Sequence, residues 1–337
     1  MNMKKYIFPV LALAALSLAS CENAEKEFPD FEGGVSVFFP YQTPIRTIML
    51  GSPVEASLNN DLDNAHKFVI YAAQGGAYKT KDINVSIAVD NSLCNNLTFD
   101  GGAAVTPMPE SYYSLSSTNI TNFSNYMGGV EVSLTDAFFA DPKSIGTTYV
   151  IPIVMKSQTG ADRILEGEWE GMNDSIATPK PTVRTDASLW KVAPMDYTLY
   201  CVRYVNPWEA YYLVKGSNAD ILKCDIVQVT TASLSSCNYT ILIDGGKKVN
   251  VKTDTSVAVD LTLNFSGDNC TVMQGGNNIG SGSYAKAVED VAPNLAKRDV
   301  LKLSYTVNGV KVDEELVMQR RGDFAGTVKE FTAVYNN

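Results

Sequence analysis

Residues 300–318 carry the pattern that decides the fold. Val300–Val307 (VLKLSYTV) is followed by Asn308-Gly309 and then by Val310–Met318 (VKVDEELVM). Apolar and polar residues alternate through both flanks, which is the pattern of half-buried β-strands. Asn-Gly is the dipeptide that two-residue type I′ turns prefer. The stretch therefore predicts a β-hairpin.

The same two-residue period recurs along most of the chain. A second hairpin is predicted around Asp244-Gly245-Gly246, between Tyr239–Ile243 and Lys248–Lys252. Further strands are predicted at Val35–Phe39, Phe68–Ala73, Ile83–Val89, Gly129–Leu134, Tyr149–Lys156 and Val257–Phe265. Helical periodicity is nearly absent, and Lys286–Val291 offers one or two turns at most. We predict an all-β protein.

Length and proline placement divide this pattern into two domains. The chain has 337 residues, which is typical of two domains. Pro179 and Pro181 interrupt regular structure and predict a linker at residues 177–187. We expect an immunoglobulin-like β-sandwich at 31–176. Consecutive hairpins at 188–337 predict a closed antiparallel, up-and-down barrel, with a jelly roll as the alternative.

The N-terminus predicts export and lipid attachment. Lys4 and Lys5 precede an apolar stretch too short to span a bilayer, so residues 1–20 have the proportions of a signal peptide. Leu18-Ala19-Ser20-Cys21 resembles a bacterial lipobox, in which Cys21 carries the lipid. Residues 21–30 form a polar, acidic tether. We expect a lipid-anchored outer-membrane protein exposed at the cell surface.

Composition excludes several classes of function. The formal net charge of −10 argues against nucleic-acid partners. His66 is the single histidine, which excludes zinc sites built on several histidines and leaves one conceivable base for a catalytic triad. We expect His66 to be a loop residue, and we predict no catalytic residues, metal or cofactor. A loose calcium site at Asp61 and Asp63 stays open.

The cysteines indicate small buried side chains more than a disulfide framework. Five follow Cys21, and none forms a Cys-x-x-Cys pair. Any disulfide would have to come from the last four, namely Cys201, Cys224, Cys237 and Cys270.

Aromatic density points to sugar binding. Rings are densest between positions 190 and 212, and flat aromatic side chains can pack against the apolar faces of sugars. The candidate glycan-binding residues are Trp208, Tyr211, Tyr212, Trp190 and Glu209. Trp208 and Tyr211 lie beside a proline-bearing turn and are the best exposed candidates, although most of these rings are expected to be core. The alternating Glu166, Glu168 and Glu170 are expected to form a solvated acidic segment.

Scattered short motifs resemble one family across nearly the whole chain. They are Phe38-Phe39-Pro40-Tyr41-Gln42, Asp63-Asn64-Ala65-His66, Tyr112-Tyr113-Ser114-Leu115, Asp136-Ala137-Phe138-Phe139-Ala140-Asp141-Pro142, Tyr204-Val205-Asn206-Pro207 and Lys297-Arg298-Asp299. The chain is similar to Bacteroidetes surface lipoproteins whose N-terminal domain also precedes the catalytic barrel of some family-18 endo-β-N-acetylglucosaminidases. The resemblance implies an immunoglobulin-like first domain, a lipocalin-like second domain and a place in glycan capture.

These features predict a non-catalytic, surface-anchored lipoprotein that binds an oligosaccharide or polysaccharide. Its expected partners are carbohydrate, an outer-membrane transporter, surface hydrolases and the membrane, reached through the lipid. The alternative is an assembly subunit that contacts proteins and not sugar. A glycoside hydrolase is a minor alternative, since such enzymes need two suitably spaced carboxylates.

Overall fold

A computed structural model describes residues 28–53, 59–173, 178–215, 225–289, 297–321 and 328–336. The signal peptide, Cys21 and most of the tether lie outside these residues, as do Cys224 and the first residue of the predicted linker. Within the described parts, no helix is long and apolar enough to cross a membrane.

The described residues form 23 strands and a few short helices. The strands are β1 Ser36–Phe38, β2 Pro44–Met49, β3 Lys67–Gly75, β4 Asn84–Val89, β5 Leu97–Phe99, β6 Thr106–Pro107, β7 Tyr113–Leu115, β8 Asn119–Ser124, β9 Met127–Leu134, β10 Tyr149–Thr159, β11 Arg163–Ile164, β12 Tyr197–Val205, β13 Ala210–Val214, β14 Ile226–Ser233, β15 Ser236–Asp244, β16 Lys247–Val249, β17 Val257–Ser266, β18 Asn269–Gln274, β19 Asn277–Glu289, β20 Arg298–Val307, β21 Val310–Arg320, β22 Lys329–Glu330 and β23 Ala333–Tyr335. The helices are α1 Asp61–Asn64, α2 Asp136–Ala140 and the 3-10 turns Asn91–Cys94, Glu110–Tyr112, Pro142–Ile145 and Ala187–Leu189.

The predicted hairpins form as expected. Val307 pairs with Val310, and the two residues between them have positive φ, 50° at Asn308 and 77° at Gly309. Positive φ at both central positions is the requirement of a type I′ turn. Gly245 and Gly246 form the second predicted turn in the same way. The prediction of helical turns from Lys286 is wrong, because β19 continues through these residues to Glu289.

The second half of the chain forms a closed antiparallel barrel. Its eight strands, β13, β14, β15, β17, β18, β19, β20 and β21, pair in sequence order, and β21 pairs with β13 to close the ring. This connectivity confirms the prediction of an up-and-down barrel. It excludes the alternative of a jelly roll, in which strands cross between two sheets. Inward residues fill the interior, including the fully buried Tyr212 and Tyr239.

The first domain is a β-sheet structure with a main apolar core and a second, smaller buried cluster. Its strands follow the order β11-β1-β3-β9-β8-β4-β10-β12-β2-β22. Phe68 of β3 and Ile151 of β10 belong to the same buried cluster although their strands are not neighbours in the sheet. The two halves of the sheet therefore face each other across that core, as in a sandwich.

Strand pairing places the change of domain later than the proline-rich segment. β12 lies beyond the predicted linker, yet it pairs with β10 and β2 of the first domain. The barrel begins at Ala210, so the chain passes between domains at residues 206–209. The last described strands also return to the first domain, where β22 pairs with β2 and β23 pairs with β5. Proline content revealed an irregular segment but not which sheet the following strand joins.

The described cysteines are buried thiols. Cys94, Cys201, Cys237 and Cys270 form no disulfide. Burial raises the pKa of the Cys94, Cys201 and Cys237 thiols to about 12, so they remain protonated at neutral pH.

Candidate functional site

The predicted aromatic cluster lies where the two domains join. Asn206 is fully buried there, and its Nδ2 donates to the carbonyl oxygens of Ser233 and Ser236, each at 2.8 Å. Its Oδ1 accepts from the backbone N–H groups of Trp208 at 3.2 Å and Glu209 at 3.1 Å. The Asn206-Pro207 motif therefore lies at the junction of the two domains, and the side-chain amide of Asn206 is fully hydrogen-bonded.

Arg321 completes this junction from the end of the barrel. Its guanidinium is buried and donates to the carbonyl oxygens of Leu50 and Ser52 in the first domain. It also donates to the carbonyl oxygens of Asn206 and Glu209. The planar fork of arginine can satisfy several backbone acceptors at once, so this side chain couples both domains.

Trp208 closes the neighbouring end of the barrel. It is half-buried, and its ring stacks on Phe265 with 4.0 Å between centroids and 6° between planes. Tyr284 meets it edge-on at 6.4 Å. At least one face of the indole is therefore occupied by the barrel core, contrary to the expectation of a freely exposed ring.

Two other predicted sugar contacts are core residues. Tyr212 has no exposed surface, and its hydroxyl donates to the carbonyl oxygen of Trp208 at 2.9 Å. Trp190 is buried, with its indole N–H donating to the Val183 carbonyl oxygen at 3.0 Å and its ring edge-on to Trp169. Neither ring presents a face to solvent, so both predictions are corrected. Alternation along β13 directs Tyr212 into the barrel.

The two remaining candidates are held by protein groups. Tyr211 points outward and is half-buried, and the guanidinium of Arg320 lies over its ring at 4.4 Å. Glu209 accepts a hydrogen bond from the Thr231 N–H at 2.7 Å. The residues of the predicted cluster therefore lie in three places: at the domain junction, in the core, and on an outer face that Arg320 covers.

The other titratable groups singled out from sequence have structural contacts. Asp63 accepts hydrogen bonds from Arg46 and from the Met49 N–H, so both of its carboxylate oxygens are engaged. His66 lies in the turn after α1 with its ring 4.1 Å from that of Phe139. Within the described parts of the chain, no group of three or more His, Cys, Asp and Glu residues could hold a metal.

Exposed aromatic rings gather instead on the first domain. Six aromatic side chains are exposed among the described residues, and five of them belong to this group. We call this group the aromatic surface, and its members are Phe28, Phe31, Tyr71, Tyr78 and Tyr126. The sixth exposed ring, Tyr41, is not part of it.

Contacts join the chain segments that carry four of the five members of the aromatic surface, Phe28, Phe31, Tyr78 and Tyr126. The Phe28 and Tyr78 rings lie 5.3 Å apart, and the Tyr126 hydroxyl donates to the Tyr78 carbonyl oxygen at 2.5 Å. Phe31 donates its N–H to the carbonyl oxygen of Gly76, two residues before Tyr78, at 2.7 Å. These contacts bring distant parts of the sequence together and place the Phe28 and Tyr78 rings beside each other.

Tyr71 extends the aromatic surface along the outer face of β3. It pairs with Gly129 of β9, where a Cβ would lie 3.1 Å from the Tyr71 ring and 2.4 Å from Val69. The missing side chain at Gly129 lets Tyr71 lie close to the sheet. At this position 47% of Tyr71 is exposed.

Polar groups frame Tyr78. Asp30 accepts from the Tyr78 N–H at 2.8 Å and pairs with Lys81 at 2.6 Å. The hydrogen bond from Lys81, followed by that from Tyr78, holds the pKa of Asp30 below its ordinary value. An ionised acceptor and an ammonium donor therefore lie next to exposed rings, and Gln74 accepts from the Lys81 N–H at 3.0 Å.

The backbone at Tyr126 is strained. Asn125 and Tyr126 occupy the two-residue turn between β8 and β9 with φ of 48° and 66°. Glycine usually takes the second position of such a turn, because a bulky residue there costs about 1–3 kcal/mol. An exposed tyrosine held in this conformation favours a functional interpretation of the ring.

The comparisons with known proteins identify relatives at the level of the whole chain. A solved structure of a Bacteroides ovatus protein of unknown function has 32% sequence identity and a TM-score of 0.75, covering 91% of this chain and 100% of that one. The two proteins are members of one family. The TM-score shows that this relative has the same overall fold as the chain described above.

Family models divide the family's sequence in agreement with the structure. A model for an N-terminal domain matches residues 31–162, and the domain of unknown function DUF5627 matches residues 213–322, which is most of the barrel. No curated protein matches the chain.

More distant solved structures add little. A Bacteroides ovatus multidomain protein including DUF1735 has 11% identity and a TM-score of 0.37, covering 89% of this chain and 94% of that one. A Bacteroides ovatus protein described as a candidate carbohydrate-binding protein has 16% identity and a TM-score of 0.25, covering 88% and 78%. Neither similarity is high enough to support an argument about this chain.

Proposed function

We propose that this protein is a non-catalytic glycan-binding lipoprotein of the cell surface and that the aromatic surface is its sugar contact. The observation that carries the proposal is the solvent exposure of five aromatic side chains on the first domain, namely Phe28, Phe31, Tyr71, Tyr78 and Tyr126. Large apolar side chains grouped at a monomer surface commonly mark a binding site. Aromatic faces match the C–H faces of sugar rings, and Asp30 and Lys81 supply an acceptor and a donor for hydroxyl groups.

Charge distinguishes a sugar from a lipid surface at this position. Carboxylates of Asp30, Glu32 and Asp162 lie in the same region of the first domain. Insertion among lipid headgroups would strip water from these anions and oppose an anionic membrane. A hydrated neutral saccharide imposes no such penalty.

The N-terminal sequence supports the location. A lipobox ending at Cys21 and an acidic segment after it would hold the protein at the outer membrane, with the first domain following directly. The sequence resemblance to lipoproteins associated with endo-β-N-acetylglucosaminidases supports a role beside surface hydrolases and an outer-membrane transporter. In that role the protein retains glycan chains at the cell surface for these partners.

A glycan array with soluble residues 22–337 tests the proposed function. We expect binding to at least one class of host or dietary glycan, with no release of products. The same protein is mixed with vesicles of neutral and anionic phospholipid. Absence of glycan binding across the array contradicts the proposal, and vesicle binding that disappears in Tyr78→Ala would assign the aromatic surface to lipid. Glycan turnover would contradict the non-catalytic assignment.

Lipid attachment has its own test. Cys21→Ala should move the protein out of the membrane fraction, because the signal peptide alone leaves no permanent anchor. Retention of the variant in that fraction would contradict attachment through Cys21.

A further inference from the structure

We propose that a polar groove on the outer wall of the barrel is a second saccharide-binding site, which recognises its ligand through hydrogen bonds and not through stacking. The choice of ligand class rests on the proposed glycan-binding function. The site itself rests on separate residues, in the other domain from the aromatic surface.

The groove consists of two adjoining hollows. One of about 810 Å³ crosses the outer faces of β19, β20 and β21, and its polar side chains include Ser281, Ser283, Lys302, Ser304, Asp313 and Glu315. The other, of about 430 Å³, reaches the hairpin turns at Gly246 and Gly309. Both hollows include Val214, Asn250, Asp313 and Glu314, so they form one elongated depression. That shape and volume suit a chain of a few sugar units.

An ordered polar cluster lies behind the groove, on the inner side of β21. Glu314 accepts from Lys248 at 2.5 Å and from the hydroxyls of Tyr239 at 3.0 Å and Tyr305 at 2.8 Å. The side chains of Lys248 and Glu314 are only 11% and 4% exposed. A buried ion pair with two additional hydrogen bonds holds the strand fixed, so the groove floor is preorganised.

The charged groups of the groove already neutralise one another. Glu315 bridges Lys215 at 2.8 Å and Lys302 at 3.1 Å. Asp313 accepts from Ser304 at 2.6 Å and pairs with Lys311 at 2.9 Å. A lining of compensated charges and serine hydroxyls suits a neutral ligand that both donates and accepts hydrogen bonds. Hydroxyl groups of a saccharide do both.

Asn250 supplies an acceptor. Its Nδ2 donates to Asp225 at 2.9 Å, whereas its Oδ1 is buried and has no hydrogen-bond partner among the described residues. A buried polar atom without a partner is uncommon in proteins and costs about 1–3 kcal/mol. Asn250 lines both hollows, so a turn of its side chain toward the groove would let a ligand hydroxyl satisfy this oxygen.

The test uses the soluble chain with Tyr78→Ala and Tyr126→Ala, which remove two of the five rings of the aromatic surface. Isothermal titration is performed with cellotetraose, maltotetraose and an N-acetyllactosamine tetrasaccharide, and with citrate and tetraglycine as probes of other ligand classes. Ser283→Trp fills the groove, and Ser266→Trp is the matched change on the exposed face of β17. Asn250→Ala removes the acceptor, and Asn238→Ala on β15 is its control.

We expect one tetrasaccharide to bind the background protein and its affinity to fall at least tenfold in Ser283→Trp and in Asn250→Ala, but not in the controls. Saccharide binding by the wild-type chain that is absent from the background protein would overturn the second site and leave the proposed function intact. Failure of all three tetrasaccharides to bind either protein would contradict the second site, whereas the proposed function is contradicted only if the glycan array also shows no binding. Citrate or tetraglycine binding that Ser283→Trp abolishes would overturn the assigned ligand class.

Discussion

Arg321 Nη1 lies 2.6 Å from the carbonyl oxygen of Leu50, and this hydrogen bond joins the last strand of the barrel to the first domain. The same guanidinium reaches the carbonyl oxygens of Ser52, Asn206 and Glu209. Its burial lowers the pKa of Arg321, but an arginine remains charged at neutral pH. The two domains therefore share one buried polar junction.

Replacing Arg321 should destabilise the folded protein. Arg321→Ala leaves several buried carbonyl oxygens without a donor, and we expect a loss of about 2–4 kcal/mol in the free energy of unfolding. Urea denaturation measures the loss. Arg320→Ala, one residue earlier and on the outer face, should cost under about 1 kcal/mol. Equal stability of the two variants would contradict the junction.

The buried ion pair of the barrel gives a second stability prediction. Lys248→Met leaves Glu314 buried without its cation, which should cost about 3–5 kcal/mol. The neighbouring Lys247 is exposed, so Lys247→Met should change stability by less than about 0.5 kcal/mol. Denaturation of both variants at neutral pH makes the comparison. A Lys248→Met protein as stable as Lys247→Met would show that Glu314 is not effectively buried.

The hydrogen bond between Asp141 and Tyr149 should make a pH-dependent contribution to the free energy of unfolding. The Tyr149 hydroxyl donates to Asp141 at 2.6 Å, which lowers the pKa of Asp141 and, as the largest cause, raises the pKa of Tyr149 to about 12. The contribution of Asp141 is therefore present above the ordinary aspartate pKa of about 3.9 and is lost as pH falls through its lowered value. That of Tyr149 is complete below about pH 10 and is lost as pH rises through about 12.

Tyr149→Phe should remove the dependence that comes from Tyr149 and reduce that of Asp141, which still accepts hydrogen bonds from the Tyr112 hydroxyl and the Lys143 N–H. At pH 7 we expect it to cost about 1–2 kcal/mol, since the lost hydrogen bond has a charged acceptor. The difference from wild type should shrink below about pH 4 and above about pH 10. Tyr41→Phe, at an exposed ring elsewhere in the first domain, is the control. A difference that is constant from pH 3 to 11 would argue against a charged acceptor.

Tyr126 should show opposite effects on stability and binding. Tyr126→Gly produces the Asn-Gly sequence that this turn geometry prefers, so it should maintain stability or raise it by up to about 1 kcal/mol. The same variant lacks an aromatic face and should bind the best glycan of the array at least tenfold more weakly. Thermal unfolding and titration are measured on one preparation. Unchanged binding would remove Tyr126 from the sugar contact.

The sequence predicted structure best where the information is local. Asn308-Gly309 specifies its own turn, and alternation in its flanks specifies which side chains enter the barrel. The domain boundary could not be found in this way, because pairing of β12 with β2 and β10 depends on contacts between distant segments.

The sequence did not predict the candidate site, for the same physical reason. Trp208 and Tyr212 lie in the part of the sequence that is densest in aromatic residues. In the fold, Trp208 packs at the end of the barrel and Tyr212 in its core. Tyr78 lies about 50 positions after Phe28 and about 50 before Tyr126, and only the fold brings the three segments together. A sequence signal existed at Asn125-Tyr126, where a hairpin turn lacks its usual glycine.

The most direct test of the central claim is the affinity of Tyr78→Ala for the best glycan of the array, measured against Tyr41→Ala. Both rings are 41% exposed, but only Tyr78 belongs to the aromatic surface. We predict that Tyr78→Ala weakens binding at least tenfold, a loss of about 1.4 kcal/mol or more, while Tyr41→Ala retains wild-type affinity. Equal affinities of the two variants, with both folded by circular dichroism, would contradict the claim that the aromatic surface binds the glycan.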